Sequence, residues 1–81
     1  MKTEKELLER IVVNPKIMGG KPIVLGTRIT VEQVLKLLAQ GLSVKDILKD
    51  YPHLTEDDVS AVLLYSAKVA GEEEIYPVTV T

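Results

Sequence analysis

The chain contains no cysteine, tryptophan or phenylalanine, one histidine, and no apolar run near the roughly 20 residues that cross a bilayer. Without cysteine neither a disulfide framework nor a thiolate metal site can form, a composition that fits a reducing cytoplasm. His53 follows Pro52 in a turn segment with no second histidine at metal-ligand spacing, so it reads as a capping or packing residue rather than a ligand. Tyr51, Tyr65 and Tyr76 are too scattered for a base-stacking platform, and Tyr51 is expected in the core. The opening "MKTEKELLER" is too charged for a signal peptide, so a soluble, cytoplasmic protein is expected, away from any membrane. Positive charge is not in excess either. Ten lysines and arginines against twelve aspartates and glutamates leave a net charge of −2, so any nucleic-acid binding must come from a local patch. No serine, histidine and acid are spaced as a triad, and neither an enzymatic activity nor a cofactor or metal is expected.

What is present is helix punctuation. Thr3 with Glu6, Thr30 with Gln33, Ser43 with Asp46, and Thr55 with Asp58 each set a hydroxyl three residues before an acid or amide, the spacing that satisfies free N–H groups at a helix start. Four helix starts are predicted. Val31, Val34, Leu35 and Leu38 form the stripe of the second helix, which stops near Gly41. Val44, Ile47, Leu48 and Tyr51 form that of the third, which Pro52 ends. The fourth runs from about Glu56 to Ala70, with Val59, Val62, Leu63, Ser66, Ala67 and Ala70 expected on one side and Gly71 at its end. At 81 residues this is one small domain with a marginal core, which a partner subunit would help.

Ahead of the helical region, "RIVVNP" and "KPIVLGTRI" are short and β-branched, reading as two or three strands joined by tight turns, with Gly26 at positive φ between Val24 and Arg28. The glycines of "GGKP" do not make a phosphate loop. Lys21 is followed by Pro22, which removes a donor and starts a strand, and no serine or threonine stands where a magnesium ligand is needed. They read as turn residues. Residues 1–71 are expected to form the helical domain, with 72–81 as an extended acidic and β-forming tail.

The stretch from Glu9 to Ala67, with its isoleucine strand, Asn-Pro, "GGKP", "GTRI", "GLS" and "YPHLT", resembles the DUF433 family. The resemblance implies a mainly α, α+β architecture: a homeodomain-like, three-helix DNA-binding fold with short N-terminal strands. It further implies an antitoxin of a toxin–antitoxin system, encoded beside a PIN-like nuclease, with no enzymatic activity of its own.

The residues bear on that implication unevenly. Val44 to about Leu64 has helix-turn-helix spacing with "YPHL" as the turn, yet the first turn of the would-be recognition helix carries Glu56, Asp57 and Asp58. Carboxylates repel phosphate, and these three suit the positive end of the helix dipole. The candidate DNA contacts are Lys16, Lys21, Arg28, Lys36, Lys45 and Lys49, which a homodimer would join into one stripe. Arg28 is expected mainly to pin the hairpin to the helices through a carboxylate or backbone carbonyls. "EDD" and "EEE" read as a helix start and a solvated linker.

The candidate partner-binding residues are Glu72, Glu73, Glu74, Ile75, Tyr76, Val78 and Val80. This segment suits strand addition to another protein's sheet edge, or coverage of a nuclease cleft with Tyr76 as anchor; pairing with the strands of a dimer mate is the structural alternative. The expected function is a type II antitoxin that masks a nuclease toxin and binds its own promoter DNA as a dimer. A stand-alone transcription regulator and a protein-binding adaptor are the alternatives.

Overall fold

The computed structural model describes residues 2–72. In chain order they form α1 (Glu4–Leu8), β1 (Ile11–Val13), a 3-10 turn at Met18–Gly20, β2 (Pro22–Val24), α2 (Val31–Ala39), α3 (Val44–Asp50) and α4 (Glu56–Glu72). The fold is mainly α with one small sheet.

All four expected helix starts are present and closed by their own side chains. Thr3 Oγ1 accepts from the Glu6 amide at 3.1 Å, Thr30 Oγ1 from Gln33 at 3.0 Å, Ser43 Oγ from Asp46 at 3.1 Å and Thr55 Oγ1 from Asp58 at 3.2 Å. At α3 the bond is reciprocal, because the Ser43 amide donates to Asp46 Oδ2 at 3.0 Å. That backbone donor, reinforced by the Ser43 hydroxyl, holds the exposed Asp46 carboxyl below the usual aspartate range. Between α3 and α4 the "YPHL" segment is a turn, closed by the Leu54 amide donating to the Tyr51 carbonyl at 2.9 Å.

The hairpin pairs β1 and β2 antiparallel, Val12 opposite Ile23, and a further bridge joins Ile23 to Thr30. Pro22 opens β2 opposite Val13, as its missing donor requires. Connecting the strands, Met18, Gly19 and Gly20 all have positive φ (51°, 66° and 81°), a run that two glycines make accessible. After β2 the chain reverses at Gly26, φ 80°, where the Thr27 amide and hydroxyl both donate to the Val24 carbonyl at 3.0 and 2.8 Å. The Thr27 hydroxyl in turn accepts from the Ile29 amide at 3.0 Å, so the threonine of "GTR" staples the turn.

The core lies where α2, α3, α4 and β2 meet, with Ile23, Val24, Val34, Ile47 and Val62 at 0–2% exposure. Tyr51 packs against it, its hydroxyl accepting from Gln33 Nε2 at 2.8 Å. Two expectations for α4 are corrected. The helix does not stop at Gly71 but continues through it to Glu72; Gly71 has no positive φ. Its buried stripe is Asp58, Val59, Ala61 and Val62, continued by half-buried Tyr65, whereas Leu63, Ala67 and Ala70 are exposed. The shift follows from which neighbours the helix has: its first half packs on the bundle, and its last turns border the open groove described below.

Candidate functional site

Two of the three acids in the first turn of α4, which would meet DNA in a recognition-helix pose, are engaged within the protein: Asp57 and Asp58. Arg10, in the bend between α1 and β1, donates through Nη1 to Asp58 Oδ1 at 3.0 Å, and its Nη2 lies 3.6 Å from Asp57 Oδ2. The second Asp58 oxygen accepts from the Thr55 amide at 2.9 Å. Asp58 is 7% exposed, so an arginine, a backbone amide and a helix N-terminus together satisfy one buried carboxylate. The contact joins residues 48 apart in sequence and clamps the N-terminal segment to α4.

This overturns the pinning role expected of Arg28. Arg28 is exposed and, among the described residues, makes no ion pair; the arginine that pins is Arg10, which sequence reasoning passed over. A signal was present only in hindsight of topology, since nothing local links Arg10 to Asp58. The other expected cations are dispersed. Lys21 and Lys36 converge on one carboxylate, with Lys21 Nζ 3.3 Å from Glu32 Oε1 and Lys36 Nζ 4.0 Å from Glu32 Oε2. Lys45 and Lys49 are exposed one turn apart on α3. Lys16 is exposed in the loop after β1, where its amide donates to Asn14 Oδ1 at 2.9 Å. Within one protomer, only Lys21 and Lys36 are brought together by an ion-pair network.

Sequence reasoning also missed an apolar groove between α2 and the second half of α4. Its walls are Val31, Leu35 and Ala39 on one side and Tyr65, Val69 and Ala70 on the other, with Pro22 at the edge, enclosing about 520 Å³. Its polar lining is small: Ser66 on α4, whose hydroxyl is spent on the Val62 carbonyl at 2.7 Å, and Glu32 and Lys36 at the rim. Tyr65 and Val69 also border a second recess, formed with Leu8, Ile11 and Lys68. The chemistry on offer is desolvation of apolar side chains, with charges only at the margin.

Among the described residues, no group of three or more histidines, aspartates and glutamates is placed to hold a metal ion. No helix among them is long and apolar enough to cross a membrane. His53 is exposed in its turn. Of the expected partner-binding residues, Glu72 is the last residue of α4, and Glu73, Glu74, Ile75, Tyr76, Val78 and Val80 lie outside the described residues.

Comparison with known proteins places this geometry. The uncharacterized protein y4eO of Sinorhizobium fredii (strain NBRC 101917 / NGR234) is 34% identical over 58 residues, which are 72% of this chain and 26% of that protein. The chain therefore spans about a quarter of the length of that curated relative. The crystal structure of a DUF433 member protein from Anabaena variabilis ATCC 29413, at 2.00 Å resolution, is 31% identical with a TM-score of 0.74, covering 84% of this chain and 67% of that one. The model of the family described as "Protein of unknown function (DUF433)" matches residues 11–66, from the first residue of β1 to the middle of α4. The chain belongs to the DUF433 family.

Proposed function

We propose that this chain is a non-catalytic antitoxin that neutralises a PIN-like nuclease by direct binding. One observation carries the choice of protein over DNA as the main ligand: the first turn of α4 is acidic and committed to Arg10, while the far end of the same helix is apolar, exposed and leads into the acidic residues 72–74. A helix that presents carboxylates at its N-terminus is a poor reader of a phosphate-lined groove. An apolar helix end followed by an acidic, β-forming segment suits the basic rim and sheet edge of another protein. The mechanism is stoichiometric occlusion: residues 72–81 and the adjacent end of α4 cover the nuclease.

Promoter binding by a dimer is the second reading, favoured by Lys45 and Lys49 exposed on successive turns of α3, in a segment with helix-turn-helix spacing. It predicts binding that weakens steeply with salt. The primary reading is tested with the PIN-like nuclease encoded nearest to this chain. Equimolar full-length protein is expected to abolish its ribonuclease activity, and a chain ending at Glu72 is expected to leave that activity intact. Undiminished nuclease activity in the presence of the full chain overturns the reading.

A further inference from the structure

We infer that the outer edge of β1 pairs antiparallel with the same edge of a second copy of this chain, centred on Val12, so that two hairpins join into one four-stranded sheet. The inference stands apart from what residues 72–81 bind.

The register of the hairpin decides which backbone groups face outward. The Leu25 amide donates to the Arg10 carbonyl at 2.7 Å, and Val12 lies opposite Ile23. Hydrogen-bonded pairs therefore fall at Arg10 and Val12, which leaves the amides and carbonyls of Ile11 and Val13 pointing away from β2. The far side of β2 is occupied: the Val24 amide donates to the Ile29 carbonyl at 3.0 Å, and Ile23 bridges Thr30. Among the described residues β1 is thus the open edge, and its outward groups have no hydrogen-bond partner. Such an edge is a template for another strand.

A second copy matches this edge in hydrogen bonding, side chains and charge. With Val12 at the centre, Ile11 of each copy comes opposite Val13 of the other, and every outward amide and carbonyl of β1 is paired; centring on Ile11 or Val13 leaves the other of the two without a strand partner. On the face that packs against the core, Val13, 57% exposed, meets the half-buried Ile11 of the second copy. On the other face Val12 meets Val12. These are β-branched cross-strand pairs, the kind that stabilise a sheet. Glu9 precedes β1 and Lys16 follows it, both exposed and in no ion pair among the described residues. Antiparallel pairing brings Glu9 of one copy beside Lys16 of the other, and the two-fold axis makes that match twice. Closure also widens a two-stranded sheet, the least stable kind, on a domain whose own core is small.

The chain has no cysteine, so single cysteines introduced into the full-length protein report the register directly. Val12→Cys places two thiols at a non-hydrogen-bonded pair, with Cα atoms about 4.5 Å apart, and is expected to oxidise to a covalent dimer on a non-reducing gel. Val13→Cys, at the more exposed position, leaves its two thiols on Cα atoms about 8 Å apart and is expected to cross-link far more slowly. In analytical ultracentrifugation the wild type is expected to dimerise at about 100 μM. Val13→Pro removes an outward donor that the monomer does not use, and is expected to weaken dimerisation at least about 30-fold with unchanged circular dichroism. Glu9→Lys and Lys16→Glu are each expected to weaken it about tenfold, and the two together to restore it to within about threefold of the wild type. A wild type still monomeric at about 1 mM overturns the inference. So does a dimer that survives Val13→Pro, a charge exchange that fails to restore association, or cross-linking that is faster through Val13→Cys than through Val12→Cys.

Discussion

The two halves of α4 have similar apolar content and opposite surroundings. In the first half Asp58, Val59, Ala61 and Val62 are all at 7% exposure or less, held by the core on one side and by Arg10 on the other. In the second half Ala67, Val69 and Ala70 are exposed, and among the described residues the one ion pair is Lys68 with Glu4 at 3.3 Å, between side chains that are themselves largely in water. A surface pair of that kind contributes little, roughly 0–1 kcal/mol. One helix is thus buried against the core at its start and open to solvent at its end, and the division falls at Tyr65.

The largest expected effect separates the halves directly. Val62→Asp places a carboxylate where the side chain is fully buried, so a loss of more than about 4 kcal/mol and an unfolded circular dichroism spectrum are expected. Val69→Asp, at a 36% exposed position, is expected to stay within about 0.5 kcal/mol of the wild type in urea titration. Equal destabilisation by both would erase the distinction.

The two arginines give the next contrast. Arg10→Ala removes the partner of a buried carboxylate and is expected to cost about 2 kcal/mol, a fall in Tm of roughly 10 °C. Arg28→Ala is expected to change Tm by less than about 3 °C, since the side chain is exposed with no ion pair among the described residues. A reversed ranking by thermal melting would return the pinning role to Arg28.

Two glycines are expected to respond with opposite sign. Gly26→Ala forces a Cβ into φ 80° and is expected to cost about 1 kcal/mol. Gly71→Ala sits in helical backbone with open space around it and is expected to gain about 0.5 kcal/mol or less. Destabilisation by Gly71→Ala in chemical denaturation would mean that α4 ends there after all.

The smallest effect concerns pH. Asp46 has its folded-state pKa depressed by the Ser43 amide, so its contribution to stability is present above the unfolded-state value and is lost as pH falls through the folded-state value. Asp46→Asn removes that titration, and its stability is expected to fall less steeply on the acid side than the wild type's. Parallel acid limbs in denaturant titrations would show that the cap does not contribute.

Legibility tracked the range of each interaction. The caps at Thr3, Thr30, Ser43 and Thr55 close within three residues, so their spacing alone announces them. The start of β2 at Pro22 and the turn after it at Gly26 were equally readable, because the one residue fixes its own φ and the other alone accepts a positive φ freely. The face of α4 was only partly readable. Alternative stripes through 58, 61, 62 and 65 or through 59, 63, 66 and 70 both satisfy helical period, and the first places an aspartate in the interior. That aspartate is tolerable only because Arg10 arrives from 48 residues away. The groove was not readable at all, since its two walls belong to helices separated by α3 and two turns.

By itself, then, the amino-acid order determined where helices and strands begin, which turns need glycine, and that the charge balance disfavours a broad nucleic-acid surface, all consequences of local stereochemistry or simple composition. Tertiary structure decided that Arg10 rather than Arg28 ties the N-terminal segment to α4, that Asp57 and Asp58 are engaged internally, and that an apolar groove stays open beside the end of that helix. Those outcomes depend on which surfaces meet across long stretches of chain, and burial, which sets both the strength of an ion pair and the cost of an exposed valine, exists only after they have met.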